Sequence, residues 1–546
     1  MPGLRVILSA SCAAAAMGLV AAGCGGGGGG GGGAANVSPL ATASEAAAFL
    51  TQATFGPTTT EIEQLTAIGY QAWLDQQMQT APSLQVEYLN GLALGPTPPQ
   101  QHRIDAWWNN AVGRQDQLRQ RVAFALSQIF VISEVDLAGP ENTVALATYY
   151  DLLARNAFGN YRTLLEAVTL SPAMGVYLSH VRNEKPDLAR NIRPDENYAR
   201  EVMQLFSIGL VELNRDGTAR VDTAGVGIPT YTQEIIEGYA HVFTGWTYAR
   251  APSWRNPGRN MVEPMEPFEE YHDTGAKSLL NSVQVPPGGT ARADLEIALN
   301  SIANHPNVPP FICKQLIQRL VTSNPTPAYV ERVARVFEDD GTGERGDLGA
   351  VVRAILLDEE ARRGWSTLPQ RFGKLREPLL RQTALWRAFN ARSGVPFYLY
   401  PNPERDFQQA PLRSPSVFNF YRPDYAPAGE ITTAGLAAPE LQITNESTMT
   451  ATTNRLQLSV FNRYIGASGT DNDDVLIDIT REKTLAGDPT ALVDHLDLLL
   501  LSGRMTPGMR GTVTQHVNAT PLGDGTQRAL EAIFLIVSSP EFAFQR

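Results

Sequence analysis

Three short stretches of this chain hold the side chains best suited to chemistry. In the first, Glu196, Asn197, Arg200, Glu201 and Gln204 make one polar stripe when residues 194–210 coil as a helix. Glu196 and Arg200 are four apart, as are Asn197 and Glu201, so each pair meets on one face. Two carboxylates steadied by a guanidinium and an amide can pass protons or clamp sugar hydroxyls. Glu196 and Glu201 would then be acid and base, with Asn197 and Arg200 holding the substrate. The same residues also suit a salt-bridged helix face, with Asp195 and Glu196 favoured by the helix dipole. In the second stretch, Glu234, Glu237 and His241 share one side of a helix over 232–244. The Glu237/His241 spacing serves metal ligation, a carboxylate-oriented imidazole, or a plain surface pair.

The third stretch, His272-Asp273-x-Gly275-x-Lys277, reads as a loop in which glycine lets unlike polar groups converge. His272 is the expected base, Asp273 and Lys277 lie on the substrate side, and Trp246 offers a stacking face. A loop tied down by its own hydrogen bonds is the alternative, and Trp107, Trp108, Trp246 and Trp254 suit a core equally well. No glycine-rich phosphate loop and no nucleophile elbow is present, which argues against nucleotide and serine-hydrolase chemistry. The sequence names no cofactor and no metal site.

Helical periodicity supplies the elements that must position these groups. Residues 46–54, 60–68 and 70–78 read as short amphipathic helices split by Gly56-Pro57 and Gly69, and 114–132 as a longer one. Period-two alternation is almost absent, so the expected fold is all-α: a large multi-helix domain with long ordered loops and a lobe boundary near 364–372. The loops are 214–229, 250–287 and 393–439, and loops of such length inside a domain are commonly functional. Cys313 lies in an apolar helical context with no base near in sequence, which favours an inert thiol.

The first residues set an address. Arg5, an apolar stretch over 6–20 and Ala21-Ala22-Gly23-Cys24 read as a signal peptide over 1–23 with a lipobox-like end. Leucine is preferred where Ala21 stands. Cys24 would carry lipid, 24–40 would be a glycine-rich tether, and 41–546 the helical body, anchored at a bacterial cell envelope. The formal net charge of −12 becomes one unit more negative once Arg5 leaves with the leader. That balance, with no basic cluster, argues against nucleic acid as a partner. No apolar run after Cys24 is long enough to span a bilayer, so lipid is the expected membrane attachment.

Several blocks in order resemble an exported bacterial family known as domain of unknown function 1800. They are Phe55-Gly56-Pro57, Gly69-Tyr70-Gln71-Ala72-Trp73-Leu74, the run from Glu196 to Phe206, and Tyr231-Thr232-Gln233-Glu234 on to Thr244-Gly245-Trp246. His272 to Lys277, Ser414 to Tyr421 and Ser539-Pro540-Glu541-Phe542 complete the series. The resemblance implies an exported, mostly helical protein and supplies no activity. Relatives carry a His-Asn-His-Phe run where this chain has Ser127-Gln128-Ile129-Phe130, so the imidazole pair is missing here.

Two functions follow as expectations. One is hydrolysis or remodelling of an extracellular polymer in a cleft lined by the 196–204 stripe and the His272 loop. The other is non-catalytic assembly with, or binding of, another exported protein through the aromatic loop over 397–425.

Overall fold

Local signals in the sequence account for most helix boundaries. A computed structural model describes residues 41–546 except 397; the expected leader, Cys24 and the expected tether lie outside the described residues. Thr42 and Glu45 form a capping box at the start of helix Ala43–Ala53, and Thr58 and Glu61 form another at helix Thr59–Gln79. Gly69 breaks that second helix where the sequence predicts a split. Among the described residues, sheet is limited to three antiparallel pairs of two-residue strands. The fold is mainly helical, and one hydrophobic core runs from Ala41 to Phe542. Residues 364–372 lie within that body, with Gly364 against the Phe372 ring.

Two helices are shorter than their periodicity suggests. The 114–132 pattern gives helix Gln117–Ser127, every residue of which is buried, polar ones included. Its polar side chains bind neighbouring carbonyls rather than water. The Arg121 guanidinium donates to Arg319 O at 2.6 Å, Arg119 to Ala154 O at 3.2 Å, and Gln120 to Ser83 O at 2.8 Å. A helix sheathed in protein needs no solvent face, so amphipathic spacing misreads it.

The 194–210 stretch gives only helix Asn197–Gln204. It ends because Ile208 and Gly209 both donate to Met203 O, at 2.9 and 3.1 Å, and Gly209 takes a φ of +73°. A Cβ there would lie 2.9 Å from the Phe311 ring. This turn brings the chain leaving the helix against helix Val308–Leu320.

Most of the tryptophans sit in the core. Trp107 meets Trp108 edge-on at 5.0 Å, and Trp108 meets Trp386 at 4.9 Å. Their indole nitrogens donate to the Tyr150 hydroxyl at 2.9 Å and to Tyr400 O at 3.1 Å. Such pairs add roughly 0.5–1.5 kcal/mol beyond the area they bury. Trp254 lies flat on Tyr271 at 4.4 Å and donates to Glu184 at 2.7 Å. Cys313 is buried, and burial pushes its thiol well up, in keeping with an inert group.

Candidate functional site

Helix Asn197–Gln204 is set in place by the residues before it. Asn183 pins Asp195 through two hydrogen bonds, and Asp195 Oδ1 then accepts the Asn197 N–H at 2.8 Å. Asn197 is exposed. Glu196 and Arg200 pair at 2.9 Å as their spacing predicts. Helix Gln233–Val242 runs alongside, and Gln233 donates to both Glu196 oxygens at 3.0 Å and to Glu237 at 3.4 Å. Glu196 and Arg200 offset each other's charge, and such a half-exposed pair contributes about 0–1 kcal/mol.

Glu201 faces the other way. It is buried on the inner side of the helix, one of its oxygens has no partner, and burial raises its carboxyl against the pull of Arg200. The two glutamates expected to act together therefore look in different directions.

The His272 loop divides in the same manner. His272 has extended backbone, so it and Asp273 project to opposite sides. The imidazole is 0 % exposed, with Nδ1 3.0 Å from Thr244 O and Nε2 3.2 Å from Asp294 Oδ2. Lys277, also buried, donates to the same Asp294 oxygen at 2.6 Å, to Asp273 O at 2.5 Å and to Gly275 O at 3.0 Å. His272 and Lys277 thus close a buried triad with Asp294, so neither side chain reaches the surface as the expected base or substrate-side group would. Trp246 is buried likewise, and the Arg292 guanidinium covers its ring at 5.1 Å.

Asp273 points outward, and its Oδ2 meets His241 Nδ1. The His241 bond, joined by a Gly275 N–H at 2.7 Å, holds the Asp273 carboxyl down at about 2. His241 is 32 % exposed, so the imidazole that reaches solvent is this one. Its helix can approach the loop because Gly238 packs on strand Lys277–Ser278, where a Cβ would stand 2.1 Å from Ser278 O.

One turn beyond Glu201, Gln204 and Leu205 line a cleft of about 480 Å³. Its walls are residues 128–131, 204–213, one face of helix Val308–Leu320, and the loop over 417–424. Most are apolar: Ile129, Leu205, Leu210, Val211, Phe311 and Phe418 among them, with Phe418 48 % and Leu210 55 % exposed at the rim. Three buried donors in these walls have no partner: Gln315 Nε2, Asn419 Nδ2 and Arg319 Nε. Below them lies a buried charge network. Gln128 donates to Glu377 at 2.7 Å, and Lys374 lies 3.0 Å from Glu440 and 3.7 Å from Glu377. A second cleft of about 370 Å³, beside Ala43, Ile62 and His495, has no such unpartnered group in its lining.

Sequence reasoning found Glu196, Arg200 and His241 but missed Asp294, Gln315 and Arg319. Phe311, Gln315 and Arg319 recur every four residues and so share one face of their helix, a signal that would have marked this wall. Among the described residues, no group of three or more His, Cys, Asp or Glu is arranged to hold a metal ion.

A family model described as "Protein of unknown function (DUF1800)" matches residues 48–544. No curated protein and no solved structure matches the chain.

Proposed function

We propose, starting from the fact that this chain belongs to the DUF1800 family of proteins of unknown function, that its work is binding: the cleft takes up an apolar ligand. The observation that carries this is the cleft itself, which is mostly apolar, rimmed by Phe418 and Leu210, with Gln315, Arg319 and Asn419 among its few polar residues. Its volume falls within the roughly 300–1,000 Å³ usual for ligand sites, and a few polar groups in an apolar wall is their usual chemistry. By contrast, Glu196, Asp273 and Lys277 are each engaged in an internal pair.

The test is titration with an uncharged naphthylamine fluorophore. Wild type binds it; the double variant Leu210→Asp/Phe418→Asp, altered only at exposed positions, binds at least about tenfold more weakly, since two apolar contacts are lost and two charges must be desolvated. Equal binding by both proteins sinks the proposal.

A second reading keeps hydrolysis or remodelling of an extracellular polymer, and the His241–Asp273 pair favours it. A carboxylate on Nδ1 orients an imidazole whose other nitrogen is left for proton transfer, with Glu237 one turn away. The base moves from His272 to His241. Envelope polysaccharide should then be turned over by wild type and not by His241→Gln; equal turnover removes this reading.

An address at the cell envelope belongs to the proposal, supported by the leader and Cys24. Cells fed labelled palmitate should mark wild type and not Cys24→Ala, and unlabelled wild type would count against it.

A further inference from the structure

We infer that a second site, built around Arg376 and Arg504, binds a compact oxyanion of the phosphate class. The site shares no residue with the apolar cleft. Two adjoining pockets of about 30 Å³ and about 10 Å³ have Thr51, Arg376, Leu500 and Gln545 in common. Arg376 enters them from the end of the strand pair that joins Lys374–Leu375 to Phe544–Gln545, where its N–H donates to Ala543 O at 2.7 Å. Arg504 and Arg546 line the larger pocket with it. Space of roughly 10–15 Å³ holds one water, so the pair admits a compact ion and excludes a bulky ligand.

Arg376 is 6 % exposed, and its side chain makes no hydrogen bond or ion pair among the described residues. Every other buried arginine there donates from its side chain to at least one oxygen. The unpartnered nitrogens of Arg376 are not sealed off, unlike those of Arg121, so its guanidinium opens on the pocket. What it does touch is the Phe542 ring, 4.6 Å away. A ring face compensates a cation in part and supplies no counter-charge.

The nearby acids are engaged elsewhere. Glu377, next in the chain, lies 3.7 Å from Lys374 and accepts from Gln128 and Gln409. Glu541, in the wall of the larger pocket, accepts from the Thr506 N–H at 3.0 Å and from its hydroxyl at 2.6 Å. One carboxylate thus stands in that wall against three guanidinium groups. Arg504 donates to Arg546 O and lies over the Trp365 ring at 4.5 Å. Burial pulls Arg376 down to about 9, with the charge of Arg381 adding to the effect, and pulls Arg504 down to about 10. A buried cation without a counter-charge is costly, and the guanidinium fork matches phosphate oxygens closely. Several guanidinium groups around one small space favour a dianion over a single carboxylate.

The experiment is a calorimetric titration of the purified full chain, free of phosphate and sulfate, with inorganic phosphate and, separately, with glycerol phosphate. Wild type should bind one phosphate per chain. Arg376→Met and, separately, Arg504→Gln should each bind it at least about tenfold more weakly. Methionine fills similar space without the charge, and a urea midpoint shows whether that variant folds. If it does not, Arg504→Gln, at a partly exposed position, decides alone. Glycerol phosphate that binds as tightly as phosphate identifies the phosphate group of a larger molecule as the ligand. Binding of phosphate alone identifies the free ion, and either result supports the site. Absence of saturable binding of both by wild type overturns it. Phosphate affinity left unchanged in either folded variant places the ion elsewhere and also overturns it.

Discussion

Asp294→Ala should unfold at a markedly lower denaturant concentration than wild type, a loss of about 3–5 kcal/mol. Asp294 is the only carboxylate bonded to both His272 and Lys277 among the described residues, and all three side chains are buried. Without it, Lys277 keeps only the carbonyls of Asp273 and Gly275, which cannot neutralise an ammonium group away from water. Asp294→Asn retains a hydrogen-bonding oxygen and should fall between the two. The double variant Asp294→Leu/Lys277→Met removes both charges and should recover much of the loss, because well-packed apolar pairs often replace buried ion pairs at little cost. The measurement is the urea midpoint of the four proteins. An Asp294→Ala midpoint equal to wild type would show that the triad does not hold the loop.

Asp105→Asn should do the opposite and stabilise the protein near neutral pH. Asp105 is buried beside His102, 3.0 Å from its Nδ1, and its Oδ1 has no partner. Burial pushes its carboxyl from 3.8 up to about 7. The folded state therefore holds a proton that the unfolded chain has released, and stability falls as pH rises from about 4 to about 7. At pH 8 the full penalty is in place, with a ceiling of about 4 kcal/mol at 1.36 kcal/mol per pH unit. Asparagine carries no such penalty. The gap between variant and parent midpoints should be near zero at pH 4 and should widen up to pH 7. A gap that is the same at both ends would mean that Asp105 does not titrate in this window.

These two aspartates show what was legible in the sequence and what was not. Capping boxes at Thr42 and Thr58, the break at Gly69 and the Glu196–Arg200 pair all depend on residues within four places of each other. Local spacing contains that information. The partner of His272 and Lys277 lies on another element, helix Ala291–Ala303, and nothing in the 272–277 stretch announces it. The inward turn of His272 was equally hidden, because an extended residue faces in or out according to what packs against it. The cleft is the extreme case: its walls come from four segments spread over some three hundred residues, and only the recurrence of Phe311, Gln315 and Arg319 hints at one of them. Helix ends were overrun at 128–132 and 205–210, where tertiary contacts, not propensity, stop the coil.

The central claim is that the cleft between helix Val308–Leu320 and the 417–424 loop is where this protein binds its ligand. A crystal structure with a brominated, uncharged naphthylamine fluorophore, read from bromine anomalous scattering, tests it most directly. The expected result is a bromine peak within the cleft, beside Phe418 and Leu210. A protein saturated with ligand whose bromine lies elsewhere would contradict it.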